Sequence, residues 1–271
     1  MDLDTERSID QLTRISRGTD AREVALGAYA RLADLLERLE PQHWEAPTEC
    51  PGWDVAAMVG HLIGAGEAGA SLRESLRQQW HGKRQAARFG GNSLDAANDL
   101  QVREQAALTP TERIAALRQV APRAVAGRLG LPRPLRRVAV PLDAGGSTAT
   151  GMPSSLRLGQ LMDVVYTRDV WLHTIDIARA TSVAHEPDPQ VDGRIVEDVV
   201  VEWARRHGEP VTLVLDGPAG GRFRRGSGGA DLHLDAIEFC RILSGRAEPT
   251  DDVVGADEAA ARRLLLVRLV F

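Results

Sequence analysis

Apolar residues recur along the first two thirds of the chain at the spacing of amphipathic helices. The pattern predicts a first helix from Thr19 or Asp20 to about Glu40, which Pro41 closes. Three more helices are expected to start after residue 54, after residue 109, and at residue 154 or 155, the last running to about residue 180. The polar stretch at about residues 78–98 reads as a long connection with partial helix. Four helices joined in this way indicate a helix bundle.

Two of the helix starts carry clear capping signals. Asp54 is placed to accept hydrogen bonds from the first turn of the second helix. Residues 109–112 (TPTE) combine a capping Thr, a Pro at the first helical position and a Glu three residues after the cap. Pro122 is expected to end or kink the third helix, because it has no backbone N–H to donate.

The composition changes after residue 181. Residues 185–189 (HEPDP) form a polar linker that contains two prolines. Beyond it the pattern predicts a helix at 191–206, strands at about 211–215, 220–224 and 231–234, and a helix that Asp235 caps. The chain is therefore predicted to be an α+β protein of two domains, a helix bundle at 1–184 and a small α+β domain at 190–271.

Composition narrows the function classes. With 33 Lys and Arg against 38 Asp and Glu, the net charge is -5, which gives no overall field to attract nucleic acid. Two cysteines are too few for a disulfide framework or a thiolate zinc cluster, and they fit a reducing cytosol. The acidic start lacks the features of a secretion signal, and the most apolar run, 264–271, is far shorter than the roughly 20 residues of a membrane span. We expect a cytoplasmic protein that binds neither nucleic acid nor membrane.

Candidate chemistry concentrates on the fourth helix. Asp169 and His173 lie four residues apart, so they share one face of that helix, within its apolar arc. A carboxylate among apolar side chains needs a cation or several hydrogen-bond donors. His61, at the edge of the apolar stripe of the second helix, offers a third ligand. Two histidines and a carboxylate match a catalytic zinc site with one coordination position open.

Ordinary structural roles for these residues stay open at this stage. His61 alone is more often a hydrogen-bonded histidine at the edge of a core, and Asp169 can pair with an arginine of another helix. Asp176 is expected to pair with Arg179 or to accept a hydrogen bond from a ligand histidine. The two cysteines, at positions 50 and 240, read best as small buried apolar residues.

Three stretches of the sequence resemble one known family. They are residues 50–62, with CPGWDV and VGHL, residues 168–179 (RDVWLHTIDIAR) and residues 232–246 (LHLDAIEFCRILSGR). The chain resembles the mycothiol-dependent maleylpyruvate isomerase family, and the likeness spans nearly its whole length. The resemblance implies a DinB-like, metal-binding four-helix bundle followed by a sterol-carrier-like domain.

The resemblance also implies roles for particular residues. In that family a divalent metal, usually zinc, is held by residues that match His61, Asp169 and His173. The isomerase itself has Glu at the carboxylate position, so Asp169 is one methylene shorter. Arg246 matches a family arginine that reaches toward the active-site cleft, and it is expected to be a catalytic residue that clamps a carboxylate of the substrate or of the thiol cofactor.

The function expected from the resemblance is a mycothiol-dependent metalloenzyme. The cofactor thiol would lose its proton at the metal and attack a small electrophilic substrate, with isomerisation or sulfur transfer as the outcome. Two alternatives remain: a DinB-type hydrolase in which the metal activates water, and a binding module for apolar ligands whose metal is structural. The chain lacks a Gly-x-Ser-x-Gly motif, which disfavours a hydrolase with a serine triad. It also lacks the Gly-x-x-x-x-Gly-Lys-[Ser/Thr] motif, which disfavours a P-loop protein.

Overall fold

The computed structural model describes residues 5–142, 154–249 and 258–271. These residues divide into two compact units. The helical unit comprises residues 17–142 and 154–185, and the sheet unit comprises residues 5–16, 186–249 and 258–271. Within these residues, no helix is both long and apolar enough to cross a bilayer.

Helices and strands are distributed along all three described ranges of the chain. The helices are Ala21–Leu36 (α1), Val55–Ala70 (α2), Leu72–Gln85 (α3), Ser93–Glu104 (α4), Pro110–Leu129 (α5), Arg133–Arg136 (α6), Leu158–Gln160 (α7), Tyr166–Thr181 (α8), Asp192–His207 (α9), Ala236–Ser244 (α10) and Glu258–Leu265 (α11). The strands are Glu6–Ser8 (β1), Ala139–Pro141 (β2), Ser155–Arg157 (β3), Val211–Asp216 (β4), Gly221–Arg225 (β5) and Ala230–Asp235 (β6). A π-helical turn, Leu161–Val165, leads directly into α8.

The four predicted helices correspond to α1, α2, α5 and α8, and they form the centre of the helical unit. The fourth does not start at residue 154 or 155 as predicted, because β3 begins there and α7 and the π-helical turn precede α8. Helix α2 packs on α5 and α8, and α1 packs on the same two helices. Both predicted caps are present: the Asp54 side chain accepts from the Ala57 N–H at 2.7 Å, and Thr109 and Glu112 form a reciprocal capping box. The expected mixed fold, a helix bundle with a small α+β domain, is confirmed.

Glycines on α2 allow neighbouring helices to approach its backbone closely. A Cβ at Gly64 would lie 2.7 Å from the side chain of Gln101 on α4. A Cβ at Gly69 would lie 3.3 Å from the stem of Arg128 on α5, and one at Gly127 would lie 2.3 Å from the Gly69 carbonyl oxygen. These glycines therefore make room for one buried amide and one buried guanidinium beside α2.

The helical unit differs from the sequence-based expectation at two places. Pro122 does not end α5, which continues to Leu129. Pro122 and Arg118, whose carbonyl loses its partner, are both exposed, so water can satisfy that carbonyl while the buried side of α5 stays packed on α1 and α2. The stretch at 78–98 is largely helical, since α3 and α4 occupy most of it and pack against α2. Their apolar pattern is weak because both helices carry buried glutamines.

The sheet unit is built on a four-stranded mixed sheet with the order β1-β5-β4-β6. Strand β4 pairs antiparallel with β5 and parallel with β6. Alternate residues of each strand are buried, and α10 and α11 contact β6. The three strands predicted near residues 211, 221 and 231 correspond to β4, β5 and β6. The predicted cap is also present, since the Asp235 side chain accepts hydrogen bonds from the backbone N–H groups of Ile237 and Glu238 at the start of α10.

The start of the chain belongs to the sheet unit, whereas the sequence-based boundaries placed residues 1–184 in the bundle. Strand β1 extends the sheet as a parallel edge strand beside β5. Ile9 and Ile15 are buried, and Arg14 pairs with Asp198 and Glu202 of α9 at 2.6 and 2.8 Å. A three-residue strand whose partner lies more than 200 positions away leaves no periodic signal in the sequence.

We expect Ile9→Ala to lower the free energy of unfolding of the sheet unit by about 2–5 kcal/mol, because Ile9 is 1% exposed and its removal leaves a cavity. Gln11→Ala, at an exposed residue of the same turn, should change it by less than about 0.5 kcal/mol. Urea unfolding followed by circular dichroism measures both. Equal losses for the two variants would contradict the packing of the N-terminal segment.

Candidate metal centre

Three side chains converge between α2 and α8. Asp169 Oδ2 lies 3.6 Å from His61 Nε2, and Asp169 Oδ1 lies 3.4 Å from His173 Nε2. One ligand atom from each residue can be chosen so that all three lie within 4.8 Å of one another. The structure thus brings together the three residues that the sequence analysis selected as metal ligands.

The distances from the Asp169 oxygens to the two Nε2 atoms suit a small cation with tetrahedral coordination. Ligand atoms bound at about 2.0–2.1 Å to tetrahedral zinc lie about 3.3 Å apart, close to the two distances that Asp169 makes. Both histidines are more than nine-tenths buried, while 23% of the Asp169 side chain is exposed. The cluster therefore opens to solvent on the side of its carboxylate, where a further ligand can reach it.

A chain of amide groups fixes the orientation of His61. The Nδ1 atom of His61 lies 2.7 Å from Gln101 Oε1, and Gln101 donates from Nε2 to Gln78 Oε1. Gln78 in turn donates to the Gly64 carbonyl, one turn beyond His61 on α2. Because an amide oxygen only accepts, the His61 Nδ1 atom carries a proton and donates it to Gln101, which turns Nε2 toward Asp169.

Asp176 performs the same task for His173. Its Oδ2 lies 2.9 Å from His173 Nδ1, and the Asp176 side chain is fully buried. Of the two roles left open for Asp176, the structure shows the hydrogen bond to the histidine. Arg179 contacts Glu49 at 3.2 Å. Carboxylate–histidine pairs of this kind commonly support metal ligands.

Trp53 and Cys50, which precede α2, also contact the histidines. The Trp53 ring lies 5.0 Å from the His61 ring and 6.4 Å from the His173 ring. Cys50 is half-buried and its sulfur lies with a ring nitrogen of His173 and a carboxylate oxygen of Asp176 inside 4.8 Å. Cys50 is therefore a neighbour of the site, contrary to the expectation of a buried apolar residue, whereas Cys240 is buried as expected.

Electrostatics couple the carboxylate to the two imidazoles. Removal from water favours the neutral form of Asp169, but the charge and hydrogen bonds of His173 and His61 outweigh it and hold the Asp169 pKa well below its usual value. Burial alone would lower the pKa of His173, yet Asp169 and Asp176 raise it well above 6.5. Without a bound cation, the two carboxylates therefore favour the protonated form of His173, and a cation has to compete with that proton.

Asp169 also lines a narrow cleft between α1, α2, α5 and α8. Its polar lining consists of Tyr29, Tyr166 and Arg128, and apolar residues of α2, α5 and α8 complete it. Burial raises the pKa of both tyrosines, and the positive charge of Arg128 partly offsets that rise. The sequence analysis did not single out these three residues, because a tyrosine or arginine on a helix carries no spacing signal for a cleft.

Arg246 lies in the sheet unit, directly after α10, and is partly buried. Its backbone N–H bonds to the Arg241 carbonyl. Its catalytic role stays a prediction.

Comparison with known proteins points to one family. A family model described as the mycothiol maleylpyruvate isomerase N-terminal domain matches residues 25–178. Among solved structures, the crystal structure of a mycothiol-dependent maleylpyruvate isomerase is 15% identical with a TM-score of 0.52, covering 92% of this chain and 94% of that chain. A histidine-to-alanine mutant of that isomerase is 14% identical, with a TM-score of 0.51 and the same coverage. No curated protein matches this chain.

In chelator-treated protein, we expect the His173 imidazole to titrate well above 6.5. Asp169→Asn should lower that pKa, because it removes one of the two negative charges that contact the imidazole. Nitrogen-15 NMR of the histidine rings measures both. His185, whose pKa burial and the charges of Arg31 and Arg38 lower to about 4, is the internal control and should not respond. A His173 pKa at or below 6.5, or one that does not change in Asp169→Asn, would show that the Asp169 carboxylate does not raise the pKa of His173.

Proposed function

The chain belongs to the mycothiol maleylpyruvate isomerase family, and on that premise we propose that it is a mycothiol-dependent enzyme acting on a small electrophilic substrate. The observation that carries the proposal is the convergence of His61, Asp169 and His173 within the part of the chain that the family model matches. The reaction we assign is isomerisation, the activity named for both similar crystal structures. Sulfur transfer uses the same nucleophile and is distinguished by its product.

We assign the three side chains as ligands of a divalent cation, and zinc as that cation. Two imidazole nitrogens and one carboxylate oxygen form a set that zinc favours in catalytic sites, where a fourth position stays available. The exposed side of Asp169 gives that position access to solvent. When bound, the cation would lower the pKa of a coordinating thiol and so supply a thiolate nucleophile at neutral pH.

The protein's own residues prepare the site for that chemistry. Gln101 and Asp176 hold the Nδ1 atoms of the two histidines, so both Nε2 atoms face Asp169. The Trp53 ring packs beside both imidazoles, with its centre 5.0 Å from the His61 ring and 6.4 Å from the His173 ring. The cofactor supplies the sulfur in this proposal, which agrees with Cys240 being buried and with Cys50 lying beside His173 and Asp176 rather than in the His61–Asp169–His173 cluster.

We expect His61→Ala and His173→Ala each to reduce bound zinc from near one equivalent to less than about a tenth, and to abolish mycothiol-dependent turnover of maleylpyruvate. Loss of one of three ligands removes most of the affinity of such a site. Elemental analysis and a spectrophotometric assay measure the two effects. His233→Ala, at an exposed histidine of β6, is the matched control and should retain both.

Three results would contradict the proposal. Zinc content that is unchanged in both ligand variants would mean that the cluster is ordinary packing. Turnover without any thiol would favour a metal-dependent hydrolase in which water takes the open position. A loaded site that neither binds mycothiol nor alters maleylpyruvate would favour a structural metal.

Gln101→Ala should weaken zinc binding about 10–100-fold while leaving all three ligands in place, because it frees the His61 ring to turn and to change tautomer. Competition with a chromophoric chelator measures the affinity. Gln79→Ala, at an exposed glutamine of α3, controls for helix propensity. An unchanged affinity in Gln101→Ala would show that the amide chain does not orient His61.

A further inference from the structure

Arg128 is a buried cation whose hydrogen-bonding groups are incompletely used. The residue is 3% exposed, and its Nε and Nη1 atoms have no hydrogen-bond partner within the described residues. A guanidinium presents five N–H donors, and burying them without acceptors is costly. Arginines in the last turn of a helix usually extend into water, where they interact with the helix dipole. Arg128 instead points into the interior of the helical unit.

The position of Arg128 is built into the surrounding helices. Its aliphatic stem packs on Gly69 of α2, where a Cβ would lie only 3.3 Å from Arg128 Cγ. Its guanidinium carbon lies 5.6 Å from the centre of the Tyr166 ring, within cation–π distance. The charge is therefore held between α2 and the start of α8, one turn of α8 from Asp169.

Arg128, Tyr29, Tyr166 and Asp169 line the same cleft. The cleft is narrow: its remaining walls are apolar, and with the side chains as they stand it has no room for a water molecule. A ligand group can therefore reach Arg128 only if side chains of the lining move, and a small planar group requires the least movement.

Asp169 is not the missing acceptor for Arg128. Its two carboxylate oxygens face His61 and His173, at 3.6 and 3.4 Å from their Nε2 atoms. The positive charge of Arg128 acts on the two tyrosines, whose pKa values it lowers against the effect of burial. A buried cation beside neutral phenols leaves room for one more negative charge.

We propose that Arg128 binds a carboxylate group of the substrate and thereby places the reactive part of that molecule beside the His61–Asp169–His173 cluster. The proposal rests on the proposed function and adds the recognition of substrate charge to it. A guanidinium matches a carboxylate through two parallel hydrogen bonds, which a neutral ester cannot accept in the same way. Arg128 is thus a specificity-determining residue that selects an anionic electrophile.

Calorimetric titration with succinate tests the site without requiring catalysis. The protein is first treated with a chelator, so that no cation can bind the carboxylate. We expect the wild-type chain to bind succinate and not dimethyl succinate. Arg128→Met should weaken succinate binding about 10–100-fold, the range expected for losing hydrogen bonds to a charged group. Arg123→Met, an exposed arginine of the same helix, should bind as the wild type does.

Arg128→Lys keeps the test decisive if Arg128→Met fails to fold. Lysine retains the charge but cannot form the two parallel bonds, so we expect about a tenfold loss. Unchanged succinate affinity in Arg128→Met or Arg128→Lys, or equal binding of the dimethyl ester by the wild type, would overturn the proposal.

Kinetics separate this proposal from the proposed function. In zinc-loaded protein, Arg128→Met should raise the KM for maleylpyruvate while leaving zinc content and the KM for mycothiol unchanged. A raised KM for mycothiol alone would assign Arg128 to the cofactor and overturn the substrate assignment. If neither the wild type nor any variant shows thiol-dependent turnover but succinate binding still depends on Arg128, the proposed function fails and the carboxylate site stands.

Discussion

The ionised carboxylate of Asp169 is the group on which the rest of the site depends. It lies on the inner face of α8, where a negative charge needs strong partners. His61 and His173 provide them from two different helices, and this interaction ties the position of α2 to that of α8. The same two histidines are free to coordinate a cation only when His173 gives up its proton. The buried charge that organises the metal-free protein is thus the charge that a cation would neutralise.

Helix α2 determines how closely other groups can approach this charge. Gly64 admits Gln101, which orients His61, and Gly69 admits Arg128, which carries the positive charge of the neighbouring cleft. Larger residues at these glycines would push both polar side chains away from the cluster. The same two glycines of α2 therefore allow neighbouring helices to pack closely and allow Gln101 and Arg128 to reach their positions beside the cluster and the cleft.

The sequence predicted the features that have a local or periodic cause. Helix period and caps located α1, α2, α5 and α8, and the four-residue spacing of Asp169 and His173 placed both on one face. The family assigned from three short motifs is confirmed by the match over residues 25–178. Features that depend on distant contacts escaped prediction. Strand β1 pairs with a strand more than 200 residues away, and Arg128 becomes notable only because its neighbours bury it without an acceptor.

X-ray absorption at the zinc edge, recorded before and after addition of mycothiol, shows whether a zinc ion in the proposed His61–Asp169–His173 site binds the sulfur of the cofactor. We expect only nitrogen and oxygen neighbours at about 2.0–2.1 Å at first, and then one sulfur neighbour at about 2.3 Å once the thiol is present. A zinc environment that is identical in the two samples, or one that contains sulfur before mycothiol is added, would rule out this role of the site.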